Sequence, residues 1–265
     1  MQSASHPKII LILGSAPDVV RARQWQRAPF HEIVAINNAW RVRDDWDHLV
    51  HAGDFPAAVM PAQELMRQRS VHSAADYVPA QNAYGGFVYA GATMSLTTAY
   101  WALHALKPDV LAFLGCDMNY DSAGPTHFYG YGNRDPLRPD VTLQNLEAKT
   151  GRLLVSAARQ GCLCVNLSHL ETSRLVFPRV DIGRLKDWSL ADVQTRLAGL
   201  LQRIDKTKLQ RAENTERTLG YYFPTGEYWL FLDEIDGNQL QSLDSLWLAA
   251  LGQSEPNTEC GPCDI

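Results

Sequence analysis

An unbroken apolar run, Ile9 to Leu13, follows Lys8 and stops at Gly14-Ser15-Ala16-Pro17. A continuous aliphatic run of this length fits a strand covered on both faces, as in the middle of a parallel sheet. Gly14 is free to take a positive φ, and Pro17 suits the first turn of a following helix, where its missing N–H is no loss. An amphipathic stretch from Asp18 to about Arg27 leads to a second strand over 32–38, ending in Asn37-Asn38. A third strand is predicted over 48–54, closing on Asp54. A short helix over 62–68 and a strand-like piece over 71–78 follow, then a glycine-rich loop over 82–86. Residues 91–106 read as a helix with small residues in its first turns and a stripe of Leu96, Ala99, Leu103 and Leu106. Val110 to Leu114 form another buried strand that stops at Gly115-Cys116-Asp117. A long helix over 141–160 and a strand over 162–166 complete this part.

The recurring order of strand, polar turn and helix predicts an α/β fold built on a doubly wound, mostly parallel sheet. In such sheets ligands sit outside the carboxyl ends of the strands. Here those ends carry Gly14-Ser15, Asn37-Asn38, Asp54 and Gly115-Cys116-Asp117. From Asp181 the character changes to a charged, Leu-spaced helix over 189–211, an aromatic patch over 221–231, and a last helix near 238–251. The chain thus divides into a nucleotide-binding domain over 1–180 and a helical appendage over 181–265. The appendage reads as a lid or acceptor-binding element carrying an aromatic hairpin, as an oligomer contact, or as a cap packed on the main domain.

Composition narrows the function classes. The 265 residues hold 24 Lys and Arg against 29 Asp and Glu, a net charge of −5. That balance argues against a dedicated nucleic-acid binder, which needs a concentrated basic face. There is no run long and apolar enough for a membrane span, and Met1 to Pro7 show no signal-peptide pattern, so a cytoplasmic location is expected. Cys116, Cys162 and Cys164 lie in apolar strand-like runs and are expected as reduced core residues. Cys260 and Cys263 copy the spacing of a redox pair without its βαβ context.

The segment from Asp117 to Arg138 overhangs the expected crevice and mixes a histidine with tyrosines, acids, arginines and glycines. A loop of this length and composition points to function. His127 is the natural acid/base candidate, since its ordinary pKa lies near neutrality. Tyrosine hydroxyls would hydrogen-bond phosphate oxygens, and Arg134 or Arg138 would pair with a phosphate or carboxylate. A structural staple is the alternative role for His127. The single Gly14 lacks the companions of a dinucleotide fingerprint, which speaks against a nicotinamide site. Asp45-Trp46-Asp47 has the spacing of a metal-holding Asp-x-Asp, but precedes a strand where such pairs follow one. No metal is expected to be required. Ser168-His169 lacks the glycine pattern of a hydrolase nucleophile.

Gly14-Ser15-Ala16-Pro17, Ile36-Asn37-Asn38, the Gly91 helix start and Leu114-Gly115-Cys116-Asp117 together resemble two related Rossmann-like groups over residues 8–170. One is the bacterial lipooligosaccharide sialyltransferases of glycosyltransferase family 42; the other is the MptE-like proteins (domain of unknown function 115), some of them 6-hydroxymethylpterin diphosphokinases. The first resemblance implies a GT-A-like variant of the fold and a CMP-sugar donor over Gly14, Ser15, Ala16 and Pro17. Asn37, Asn38, Gly91, Thr93 and Ser95 would complete the nucleotide pocket, and Tyr120 and Tyr129 would meet the donor phosphate. A loop histidine would deprotonate the hydroxyl of a glycan or other acceptor, in a direct displacement without metal. The family loop has a second histidine where this chain has Tyr131. A free tyrosine titrates at about pH 10 and is a poor base at neutrality, so His127 takes the role or sialic acid is not transferred. The second resemblance implies ATP and Mg²⁺ held by Asp54 and Asp117, although its glycine pair is altered to Gly91-Ala92. A catalytically silent nucleotide-binding protein is the third reading. A homo-oligomer is compatible with each.

Overall fold

The structure is a computed structural model that describes residues 6–119, 125–130 and 140–253. Six strands, β1 (Ile9–Leu13), β2 (Phe30–Ile36), β3 (His48–Val50), β4 (Ser70–His72), β5 (Val110–Leu114) and β6 (Leu163–Asn166), form one sheet in the order β4-β3-β2-β1-β5-β6. Every pairing is parallel. The doubly wound α/β expectation is therefore met. After four strands laid in one direction the chain returns to place β5 beside β1, so the topological switch point lies between these two.

Strand β1 has all five residues buried because both faces are covered. Ile10 and Ile12 join a core with α2 (Ala74–Asn82), α4 (Met94–Leu106) and α5 (Leu146–Arg159). Ile9, Leu11 and Leu13 join the opposite core with Trp46, Leu185, Trp188, Val193 and Leu197. The last two residues lie on α7 (Leu190–Arg203), which follows the short α6 (Ile182–Leu185). Helix α4 buries eight consecutive residues, Leu96 to Leu103. It is buried all round over this run, with the Thr97 and Thr98 side chains among the enclosed residues. Short α1 (Gln63–Arg67) lies where a helix is predicted, before β4, and α3 (Phe87–Ala90) falls between α2 and α4.

Several expectations are corrected. The segment after Pro17 is a 3₁₀ helix, Pro17–Gln24, not an α-helix, and a second 3₁₀ turn, Asn37–Arg41, replaces the end of the predicted second strand. The third strand is only His48–Val50. The strand-like piece over 71–78 divides into β4 and α2, because Ser73 and Asp76 cap each other's backbone at the α2 start. The helix predicted from Gly91 starts at Met94, since Gly91 takes φ +87° and Thr93 is the N-cap. The helix predicted over 189–211 breaks at Ile204, and Asp205 caps a new helix, α8 (Lys206–Leu219). The aromatic patch is no hairpin; it contains a 3₁₀ segment, Tyr228–Glu234, before α9 (Gly237–Ala250).

Helices α8 and α9 pack on the outer side of α5 and α3 through a third core that includes Val88, Tyr89, Val155, Leu209 and Trp247. Buried charge fastens this joint. Arg152 of α5 meets Glu216 of α8 in a two-pronged contact, Nε–Oε1 2.7 Å and Nη2–Oε2 2.8 Å. The Trp247 indole also donates to Glu216, and Tyr100 accepts from Arg152. Lys149 pairs with Asp244 of α9 at 2.9 Å, with both side chains 2% exposed. Trp229, Leu230, Phe231 and Leu232 stay at the surface. Among the described residues no helix is long and apolar enough to cross a membrane.

Candidate ligand site at the carboxyl edge of the sheet

The parallel sheet brings Gly14-Ser15, Asn37-Asn38 and Gly115-Asp117 to one edge, with Asp54 beyond β3. With neighbouring strands about 4.8 Å apart, the tips of β1, β2 and β3 span roughly 10 Å. The close contact is between β1 and β5. Gly14 N donates to Leu114 O and Ala16 N to Gly115 O, both at 2.9 Å, so the two loops go on pairing after their strands end. A Cβ on Gly14 would stand 2.2 Å from Gly115 O. Gly14 is not among the positive-φ residues, whereas Gly115 has φ +73°. The glycine at 14 thus answers to the close approach of the β5 backbone and not to a left-handed turn.

The start of α4 meets the same place. The Thr93 hydroxyl caps Leu96 N at 3.2 Å and donates to Met118 Sδ at 3.4 Å, so Met118 lies over the helix cap. The Ser95 hydroxyl faces Cys116, whose thiol burial pushes up to about 12. Cys116, Cys162 and Cys164 are free and buried, as their apolar setting predicts.

Asp117 is the most unusual group here. It is 0% exposed, and neither carboxylate oxygen has a hydrogen-bond partner of full geometry. Burial raises its pKa; the facing Ser173 and Ser168 hydroxyls pull it down, nearby Asp18 raises it and Arg179 lowers it. A buried carboxyl without partners is costly and persists where a ligand or chemistry uses it. Its surroundings come from segments that sequence reasoning did not select. Asp18 accepts from Arg21 and from His169 N, at 3.1 and 2.8 Å. Asn166, at the β6 tip, holds Ser168 N and the Ser173 hydroxyl. Arg179 donates to Ser168 O. The one available signal was the polar run Asn166 to Arg174 after a buried strand.

The other predicted residues divide. Phe128 N donates to Ser15 O at 2.9 Å, so the turn His127–Gly130 is pinned across the loop that follows β1. Within it Thr126 and His127 share a hydrogen bond at 2.9 Å, and the His127 and Tyr129 rings lie 5.0 Å apart. Asn37, at φ +48°, accepts from Ala52 N and ties the β2 and β3 tips together. The Asn38 Oδ1 is buried without a partner. Asp54 is exposed and acts on the Tyr77 phenol, which burial and then the Asp54 charge push upward. Pro17 is exposed and Ala16 half-buried at the start of the 3₁₀ helix. Tyr120, Tyr131, Arg134, Arg138, Cys260 and Cys263 lie outside the described residues.

Asp45 and Asp47 are structural. Asp45 pairs in a fork with Arg43, 2.7 Å at each oxygen, and Asp47 accepts from Ile33 N. Both precede β3, at the opposite end of the sheet from the strand-tip cluster. Among the described residues no group of three or more acid, His or Cys side chains is placed to hold a metal. No family model, curated protein or solved structure matches this chain.

Proposed function

We propose that the chain is a nucleotide-dependent transferase, acting on a nucleotide-activated sugar bound over the tips of β1 and β5. The observation that carries this reading is the fully buried Asp117 carboxyl at the topological switch point, faced by the Ser168 and Ser173 hydroxyls but with no hydrogen bond of full geometry. Switch points are where open parallel sheets take nucleotides. A ligand hydroxyl that reaches the carboxyl would give it the hydrogen bond it lacks.

In this scheme the donor phosphate lies on the Ser95 side of the α4 start, clear of Met118, where the helix dipole favours an anion. His127, held over Ser15 by its turn, removes the proton of the acceptor hydroxyl. The acceptor oxygen then forms the new bond at the anomeric carbon as the bond to the phosphate oxygen breaks. The electron pair leaves with the nucleotide.

Thermal shift with 1 mM CMP, UDP, ATP plus Mg²⁺, and a pterin tests this. Stabilisation by CMP or UDP without metal is expected, and Asp117→Asn should abolish it. A ligand at one hundred times its Kd stabilises by about 2.7 kcal/mol, well within detection. Stabilisation only by ATP with Mg²⁺ replaces the glycosyl reading with pyrophosphoryl transfer. No shift with any nucleotide removes the transferase reading.

A further inference from the structure

Between β6 and α7 lies an opening of different chemistry. A cleft of about 530 Å³ has an apolar floor that includes Leu163, Phe177, Trp188 and Leu200. Among the described residues its charged lining consists of Arg179, Arg196 and Arg203, with no carboxylate. The chain as a whole has more acids than bases, 29 against 24, so this lining reverses the average. None of the three makes an ion pair within 4 Å among the described residues, although the Arg196 charge lowers the Asp192 pKa. Arg196 lies over the Trp188 ring, 4.3 Å from its centroid. The nearby Asp192 is held by Ser189 at the α7 cap. Arg179 donates to the main-chain carbonyls of Ser168 and Glu171. Arg203 has no hydrogen bond or ion pair among the described residues.

A second observation concerns space. Gly199 lies inside α7 and lines the cleft, and a Cβ there would meet nothing within 4 Å. Glycine weakens a helix interior relative to alanine, and no packed neighbour requires it here. The place of its missing side chain at the cleft wall is open space.

We propose that this cleft binds a single-chain anionic amphiphile. Its tail lies along half-buried Val176, Val180 and Leu200, and its phosphate or carboxylate head meets Arg196 and Arg203. Guanidinium forks match such heads in geometry and charge, while their stems extend the apolar wall. The volume falls in the range of small-molecule sites, which combine an apolar lining with a few placed polar groups. Fatty acids and lipid phosphates share this chemistry. The site does not rest on the transferase reading, although the Arg179 charge also reaches Asp117.

Isothermal titration of the full chain with decyl phosphate, decanoate, decanol and inorganic phosphate, each below any micelle threshold, tests the proposal. One equivalent of decyl phosphate or decanoate should bind, and the tighter of the two identifies the head group. Inorganic phosphate should not bind measurably. The double variant Arg196→Gln, Arg203→Gln should weaken the anionic amphiphile at least tenfold and leave decanol unchanged. Gly199→Phe should remove binding with no fall in the thermal midpoint, and Gly199→Leu provides the same steric test if the larger residue misfolds. No binding of either amphiphile overturns the proposal. So does equal affinity in the double arginine variant, or undiminished binding when the cleft is filled.

Discussion

Replacing Asp117 by asparagine separates a carboxyl kept for function from one kept for folding. The native carboxyl is buried, lacks a full hydrogen bond and has its pKa raised, first of all by burial. In the unfolded chain it titrates at about 3.9. Between that value and the raised one the native state binds more protons than the unfolded state, so stability falls as pH climbs through this window. Above it the native protein carries a buried charge and the loss is complete. Asparagine has no charge to desolvate and can use the Ser168 and Ser173 hydroxyls. A buried unsatisfied polar group costs about 1–3 kcal/mol, so Asp117→Asn should be more stable by that amount at pH 7. At roughly 2–4 °C per kcal/mol for a chain of this size, the midpoint rises by roughly 2–12 °C. Calorimetric melts of both proteins from pH 4 to pH 8 measure it. The gap should shrink as pH falls and close near pH 4, while nucleotide stabilisation is lost in the variant at every pH. A variant less stable than the parent at pH 7, with a gap that does not change down to pH 4, would show that the carboxyl is satisfied in the native state.

Two further substitutions probe the scaffold. Gly14→Ala puts a methyl 2.2 Å from the Gly115 carbonyl oxygen, which cannot swing aside. Overpacking of this kind costs about 1–3 kcal/mol, read as a lower urea midpoint without ligand; unchanged stability with lost nucleotide binding would assign the glycine to the ligand instead. Glu216→Gln leaves the Arg152 guanidinium buried without its carboxylate, and breaking such a pair costs about 3–5 kcal/mol. Chemical denaturation should show that loss in one cooperative transition, since the appendage shares its core with α5; an early, separate transition would contradict the joint.

The sequence by itself determined the sheet and the edge on which polar residues would gather. Ile9–Leu13, Val110–Leu114 and Leu163–Asn166 are strands because their apolar runs must be covered on both faces, and a polar turn after each marks the carboxyl end. Local punctuation was less legible. The Ser73–Asp76 cap and the Asp205 cap redirect short segments through one or two hydrogen bonds, which apolar periodicity does not register. Asp117 was visible as an acid at a strand tip, yet its isolation was not. Only the tertiary order β1-β5-β6 sets Asp18, Ser168, Ser173 and Arg179 around it, from positions scattered between 18 and 179. The same order presses Gly14 against Gly115. Whether a charge is paired or stranded depends on which strand tips become neighbours, and that depends on long-range packing.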